Sequence, residues 1–185
     1  MDHFENIVKT LLEAEGYWVQ QSFKVNLSKE EKRQIGRPSI PRPEIDLLAF
    51  KHTSNEVLVV EAKSFLDSPG VRIEELQALH EEPEGRYKLF TSERYRAVVM
   101  ARLRTDLIDR GMVGPKVKLT LGLAAGKVYQ HKSDAVRQFM LKKHWWFWSP
   151  EEIRQKVLSL ADRGYENDPA IITAKIIARN TPESP

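Results

Sequence analysis

The chain of 185 residues contains no cysteine, which excludes disulfide scaffolds, thiol nucleophiles and every cysteine-ligated zinc or iron–sulfur centre. Any metal must sit on oxygen or imidazole. No apolar run approaches the roughly 18 residues that a membrane span needs. The first residues include Asp2 and Glu5 rather than a basic segment leading into an apolar one. The expectation is a soluble, cytoplasmic protein without a membrane partner. A large charge imbalance is also missing: 29 Lys and Arg against 26 Asp and Glu leave a net charge of +3, which permits a nucleic-acid partner without requiring one. The five histidines show no zinc-like spacing. There is no internal repeat or low-complexity tract.

What is present fits a globular chain, with 41% hydrophobic and 30% charged residues, and the length supports one main core. Phe4, Ile7, Val8, Leu11 and Leu12 recur at helical spacing, and Gly16 stops the pattern. Glu5 falls at the border of that apolar stripe, where a carboxylate can reach inward. Residues 17–25 are aromatic and β-branched and predict a strand, and residues 26–43 read as a charged, proline-containing loop. Two strands follow at 44–50 and 56–63, joined by His52, Thr53, Ser54 and Asn55, a four-residue turn composition. A Ser-Pro-Gly turn at 68–70 introduces a helix over 72–82. Residues 87–90 read as a short strand, 92–110 as a long helix closed by Gly111, 116–123 as a strand, and 126–130 as its partner.

Loop length sets the hairpin register. With four residues in the loop, Phe50 faces Val57, Leu48 faces Val59 and Asp46 faces Glu61. Directly opposed β-carbons lie about 4.5–5.5 Å apart, so two carboxylates converge, and Lys63 shares their face because strand side chains alternate. A Glu-x-Lys alone is common on an exposed strand as a solvated cross-strand pair. Here the opposed Asp46 changes its meaning. Two close carboxylates repel unless a cation lies between them. Magnesium or manganese suits this arrangement, since Mg²⁺ is commonly held by one or two carboxylates with waters and substrate phosphates. A neighbouring lysine can orient or deprotonate water, or neutralise charge at phosphorus. The chemistry suggested is phosphodiester hydrolysis.

Pro43-Glu44-Ile45-Asp46 followed by Glu61-Ala62-Lys63 resembles the signature of the PD-(D/E)xK nuclease superfamily of restriction-endonuclease-like and Holliday-junction-resolvase-like proteins. The order of elements around the hairpin is also similar, over roughly the first half of the chain. The resemblance implies an α/β domain with a mixed central β-sheet flanked by helices. It implies that Asp46 and Glu61 bind Mg²⁺ or Mn²⁺, that the Ala62 carbonyl contributes, and that Lys63 serves the nucleophile. It also implies that a metal-activated water hydrolyses DNA to 5′-phosphate and 3′-hydroxyl ends. Phe4-Glu5 and Gly16-Tyr17 match the family's first-helix pattern, adding Glu5 to the catalytic and metal-binding residues. Glu44 departs from the pattern by separating the proline from the aspartate, leaving open whether it shares the site. Gln77 is followed by Glu81 where some relatives carry a tyrosine.

For DNA contact, Arg33, Arg37 and Arg42 are the leading residues because their loop runs directly into Asp46. Arg94, Arg96, Arg102, Arg104 and Arg110, with Lys116, Lys118, Lys142 and Lys143, are equally a phosphate track or a solvated face. Residues 1–131 are assigned to the nuclease-like domain and 132–185 to a C-terminal helical appendage. In the latter, Ser149-Pro150-Glu151-Glu152 announces a helix, with another from 168 ending before Pro182. The aromatic cluster of Trp145, Trp146, Phe147 and Trp148 is expected to pack the appendage onto the domain rather than stack on bases. The appendage also offers a surface for a homodimer or protein partner. The alternative to catalysis is a non-catalytic nucleic-acid-binding or assembly subunit.

Overall fold

The computed structural model describes residues 2–164 and 166–179. Helix α1 (His3–Ala14) begins at Asp2, whose carboxylate accepts the Phe4 N–H at 2.8 Å. It leads into β1 (Trp18–Lys24), then α2 (Lys29–Gln34), β2 (Glu44–Lys51) and β3 (Glu56–Lys63). Two short helices, α3 (Ile73–Gln77) and α4 (Lys88–Thr91), precede the long α5 (Glu93–Asp109). Strand β4 (Lys118–Ala125), α6 (Ser133–Lys142), β5 (Trp146–Trp148), α7 (Pro150–Ser159) and α8 (Pro169–Arg179) complete the order. The fold class is α/β. The five strands form one open mixed sheet in the order β1-β2-β3-β4-β5, antiparallel up to β3 and parallel beyond it.

Helices cover both faces, so the central strands are buried on both sides. Val57, Leu58, Val59 and Val60 of β3 are no more than 2% exposed, the unbroken apolar run expected of a doubly covered strand. One core joins Leu48, Val57 and Val59 to Val99, Leu103 and Leu107 of α5 and to Val136 and Met140 of α6. The opposite core joins Leu47, Leu58 and Val60 to Val8, Leu11 and Leu12 of α1 and to residues of α7 and α8. Among the described residues no helix is long and apolar enough to cross a membrane.

Several local expectations are corrected. Residues 26–43 are not wholly loop: Ser28 and Glu31 form a reciprocal capping box that starts α2. The helix expected over 72–82 is only five residues long. The strand expected over 87–90 is replaced by the short helix α4, which starts at Lys88, and 126–130 do not form a strand beside β4. Val128 instead makes a single parallel bridge to Val71.

The aromatic cluster supplies β5, which pairs in parallel with β4. Residues placed in the appendage thus complete the sheet, while α7 and α8 cover the α1 face. Lys156 pairs with Glu15, and Thr10 donates to Asp168 at 3.1 Å. The expected end of the last helix before Pro182 lies outside the described residues.

Gly122 makes room for β5, because a β-carbon there would stand 2.7 Å from Cε3 of Trp146 and 3.3 Å from the Trp146 carbonyl oxygen. A methyl group would have to displace a packed indole and a strand backbone. Gly122→Ala is therefore expected to lower unfolding free energy by about 1–3 kcal/mol, read from the urea midpoint. An unchanged midpoint would show that β5 shifts freely.

Candidate active site

The hairpin pairs Leu47 with Val60, Leu48 with Val59 and Phe50 with Val57, as its loop length predicts. The turn closes through a 3₁₀ segment and Asn55 at φ 49°, a left-handed conformation that asparagine tolerates. Towards the other end of the ladder the geometry changes. On the β1 side Gln21 pairs with Leu47 and Phe23 with Ile45, leaving Ser22, at φ 53°, opposite Asp46. A left-handed residue interrupts the pleat. Ile45 accordingly packs in one core and Leu47 in the other, although simple alternation would put both on one face. Asp46 sits at that kink, and its Oδ2 accepts the Ala62 N–H at 2.8 Å.

This contact brings the expected residues together. Lys63 Nζ lies 2.9 Å from Glu61 Oε2 and 3.5 Å from Asp46 Oδ2, with all three side chains less than a fifth exposed. Burial raises the pKa of Glu61; Lys63 works against that rise and Asp46 reinforces it. For Lys63 burial acts to lower the pKa, but Glu61 and then Asp46 outweigh it, so the ammonium is held above its ordinary value. Glu5 approaches from α1. Its pKa is raised first by burial and then by the Asp46 charge, while Lys63 opposes both. Glu5 therefore shares an electrostatic neighbourhood with Asp46 and Lys63.

Close packing fixes this approach. The Gly126 N–H donates to the Lys63 carbonyl at 2.8 Å. A β-carbon at Gly126 would come 2.5 Å from the Ser64 carbonyl oxygen and 3.1 Å from the Phe4 ring. The glycine thus lets the end of β3 and the start of α1 meet.

Outside this cluster the assignments divide. The Ala62 N–H is engaged by Asp46. Glu44 is about half exposed, pairs with Lys24 at 3.8 Å and borders a cavity beside Glu61. Gln77 is exposed at the end of α3. Arg33 pairs with Glu30 at 3.1 Å and Arg37 with Glu82 at 2.8 Å. Only Arg42 of the three loop arginines borders the cavity.

The arginines of α5 are largely internal fasteners. Arg96 donates to the Leu89 and Phe90 carbonyls, and Arg102 grips Glu31. Arg104 donates to the Val117 carbonyl, and Arg110 covers the Phe23 ring. Tyr87 and Tyr95 have pKa values pushed up to about 12, mainly by burial, so they remain protonated at neutral pH and are not bases. Arg86 and Lys88 also border the cavity. Sequence reasoning missed them because their proximity to Glu61 depends on the return of a distant loop.

A hard divalent ion suits this oxygen-only donor set. Among the described residues no group of three or more acidic or histidine side chains forms a preassembled metal cage. Mg²⁺ does not need such a cage, since one or two carboxylates with water and phosphate oxygens suffice. Asp46 and Glu61 meet that requirement, and Glu5 adds negative charge nearby. No protein-family model, curated protein or solved structure matches the chain.

The raised Glu61 pKa gives a direct stability test. A carboxyl whose folded-state pKa exceeds its unfolded value favours folding below the unfolded pKa, near 4.5, and loses that contribution as pH rises through the folded pKa. Glu61→Gln removes this titration. In EDTA, the variant should gain stability relative to the native chain between pH 4 and pH 7, measured by urea unfolding at both values. A relative change in the opposite direction would contradict the burial argument.

Proposed function

We propose that the chain is a metal-dependent deoxyribonuclease of the PD-(D/E)xK class, with its α/β sheet arranged in the restriction-endonuclease-like manner. The observation that carries this reading is the meeting of Asp46, Glu61 and Lys63 where β2 and β3 diverge. The helix before the sheet, the antiparallel meander and the parallel β4 further support it. Magnesium or manganese, when bound, would activate water and reduce the charge repulsion at a phosphodiester.

Asp46 and Glu61 would hold that ion, with Glu5 contributing negative charge from α1. The Ala62 N–H fixes the Asp46 carboxylate and thereby limits its rotation. Glu61 and Asp46 hold the Lys63 ammonium above its ordinary pKa in the metal-free site, and an ion on those two carboxylates would weaken that hold. Lys63 would then orient or help deprotonate water, or neutralise charge on a phosphate oxygen.

A second reading, a nucleic-acid-binding or assembly subunit that does not cut, is supported by the same Lys63 contacts. An ammonium bonded to both acids can be a self-neutralising structural unit. Charge balance favours the catalytic reading: Asp46 and Glu61 leave a net −1 after Lys63, and Glu5 adds further negative charge nearby.

Cleavage of plasmid, branched and single-stranded DNA should be followed with magnesium, manganese or EDTA for the native chain, Asp46→Ala and Lys63→Ala. Metal-dependent cutting is expected, with each substitution reducing the rate by at least about a hundredfold. If neither ion supports cutting of any DNA, the nuclease assignment fails. Retained cutting by both variants would place the chemistry elsewhere.

A further inference from the structure

Beside Glu61 is a cavity of about 240 Å³, built where the segment preceding β2 meets the segment leading into α4. Ile45, Leu89 and Tyr95 form an apolar wall, while Arg42, Arg86 and Lys88 are exposed around it. Arg33, Arg37 and Arg102 each have a carboxylate partner. Arg42 makes a long 3.4 Å contact to the Asn26 amide oxygen, and Arg86 stacks 5.4 Å from the Phe65 ring centroid.

Among the described residues, Arg42, Arg86 and Lys88 have no carboxylate within ion-pair distance. Three cations without an ion-pair partner thus line one concavity, with Lys88 near enough to act electrostatically on Glu61. Glu44 and Glu61 on the same lining would repel an anion, so an anion must be held from the cationic side.

Building on the nuclease reading, we propose that Arg86 and Lys88, together with Arg42, grip a DNA phosphate next to the one attacked and set the strand's path across Asp46 and Glu61. The chemistry favours a phosphodiester chain rather than an isolated carboxylate. The cations extend from the segment before β2 to the segment before α4, and the cleft between them opens beside the hydrolytic cluster. The apolar wall leaves room for sugar or base surface behind the phosphate. Arg86 is already held against Phe65, reducing the ordering needed when its guanidinium meets oxygen. These residues position substrate and take no part in proton transfer.

DNA binding can be separated from cutting by titrating fluorescein-labelled single-stranded and duplex oligonucleotides in EDTA at several salt concentrations. Arg86→Ala and Lys88→Ala should each weaken binding, and each should make the slope of log affinity against log salt shallower by about one. Lys51→Ala, at the turn end of the hairpin where the Lys51 Nζ donates to the Glu15 carbonyl, should alter neither quantity. Lys88→Arg should retain the native slope.

If the Arg86 and Lys88 variants bind with native affinity and slope while Asp46→Ala abolishes cutting, the phosphate assignment is overturned but the nuclease reading survives. If no DNA is cut but binding depends on both cations, the phosphate surface stands without the nuclease. Absence of DNA binding by the native chain would overturn this proposal.

Discussion

The bond from the Ala62 N–H to the Asp46 carboxylate is the constraint on which the candidate site depends. It ties a side chain of β2 to the backbone of β3 where ordinary strand alternation breaks down. Ser22 adopts a left-handed conformation opposite Asp46, and Ile45 and Leu47 enter different cores. Without the kink, Asp46 would simply follow the pleat. With it, the carboxylate is held near the sheet end, where it meets Lys63 and is felt by Glu5 from the opposite layer.

Holding three charged groups with little exposure is energetically demanding, because desolvation can outweigh the attraction within a buried ion pair. Lys63 offsets part of that cost for Asp46 and Glu61, but it does not remove the burial effect on Glu61. The neighbouring strands supply the mechanical support: Val59 and Val60 are fully buried, and Leu47 is fully buried on the adjacent strand. A rigid apolar sheet can sustain an electrostatic arrangement that would relax in a mobile loop. The same desolvation that costs stability strengthens interaction with an incoming ion or phosphate.

The central hairpin was legible because a four-residue turn and apolar alternation jointly fixed its register. That register placed Asp46, Glu61 and Lys63 together, but it assumed a continuous pleat and gave no sign of the left-handed Ser22. Short elements were harder to read. Ser28 and Glu31 carried a visible capping signal, yet α2 also relies on the distant Arg102 gripping Glu31. Strand β5 has only three residues and belongs to the sheet because Gly122 admits Trp146 beside β4. Arg86 and Lys88 were obscure for a related reason: the fold, rather than local spacing, brings them beside Glu61.

The sequence's small positive charge is equally informative only after packing is known. Arg96, Arg102 and Arg104 sit on a long helix but direct their guanidinium groups to protein carbonyls or acids. Their number does not measure the charge available to a substrate. Arg42, Arg86 and Lys88 instead surround a concavity beside a negative cluster. A phosphodiester can bridge such adjacent regions because its anionic oxygens favour the cationic rim while a bound divalent ion would offset repulsion at Asp46 and Glu61. The local placement of the unpaired cations thus bears more on this proposed substrate chemistry than the net charge of the chain.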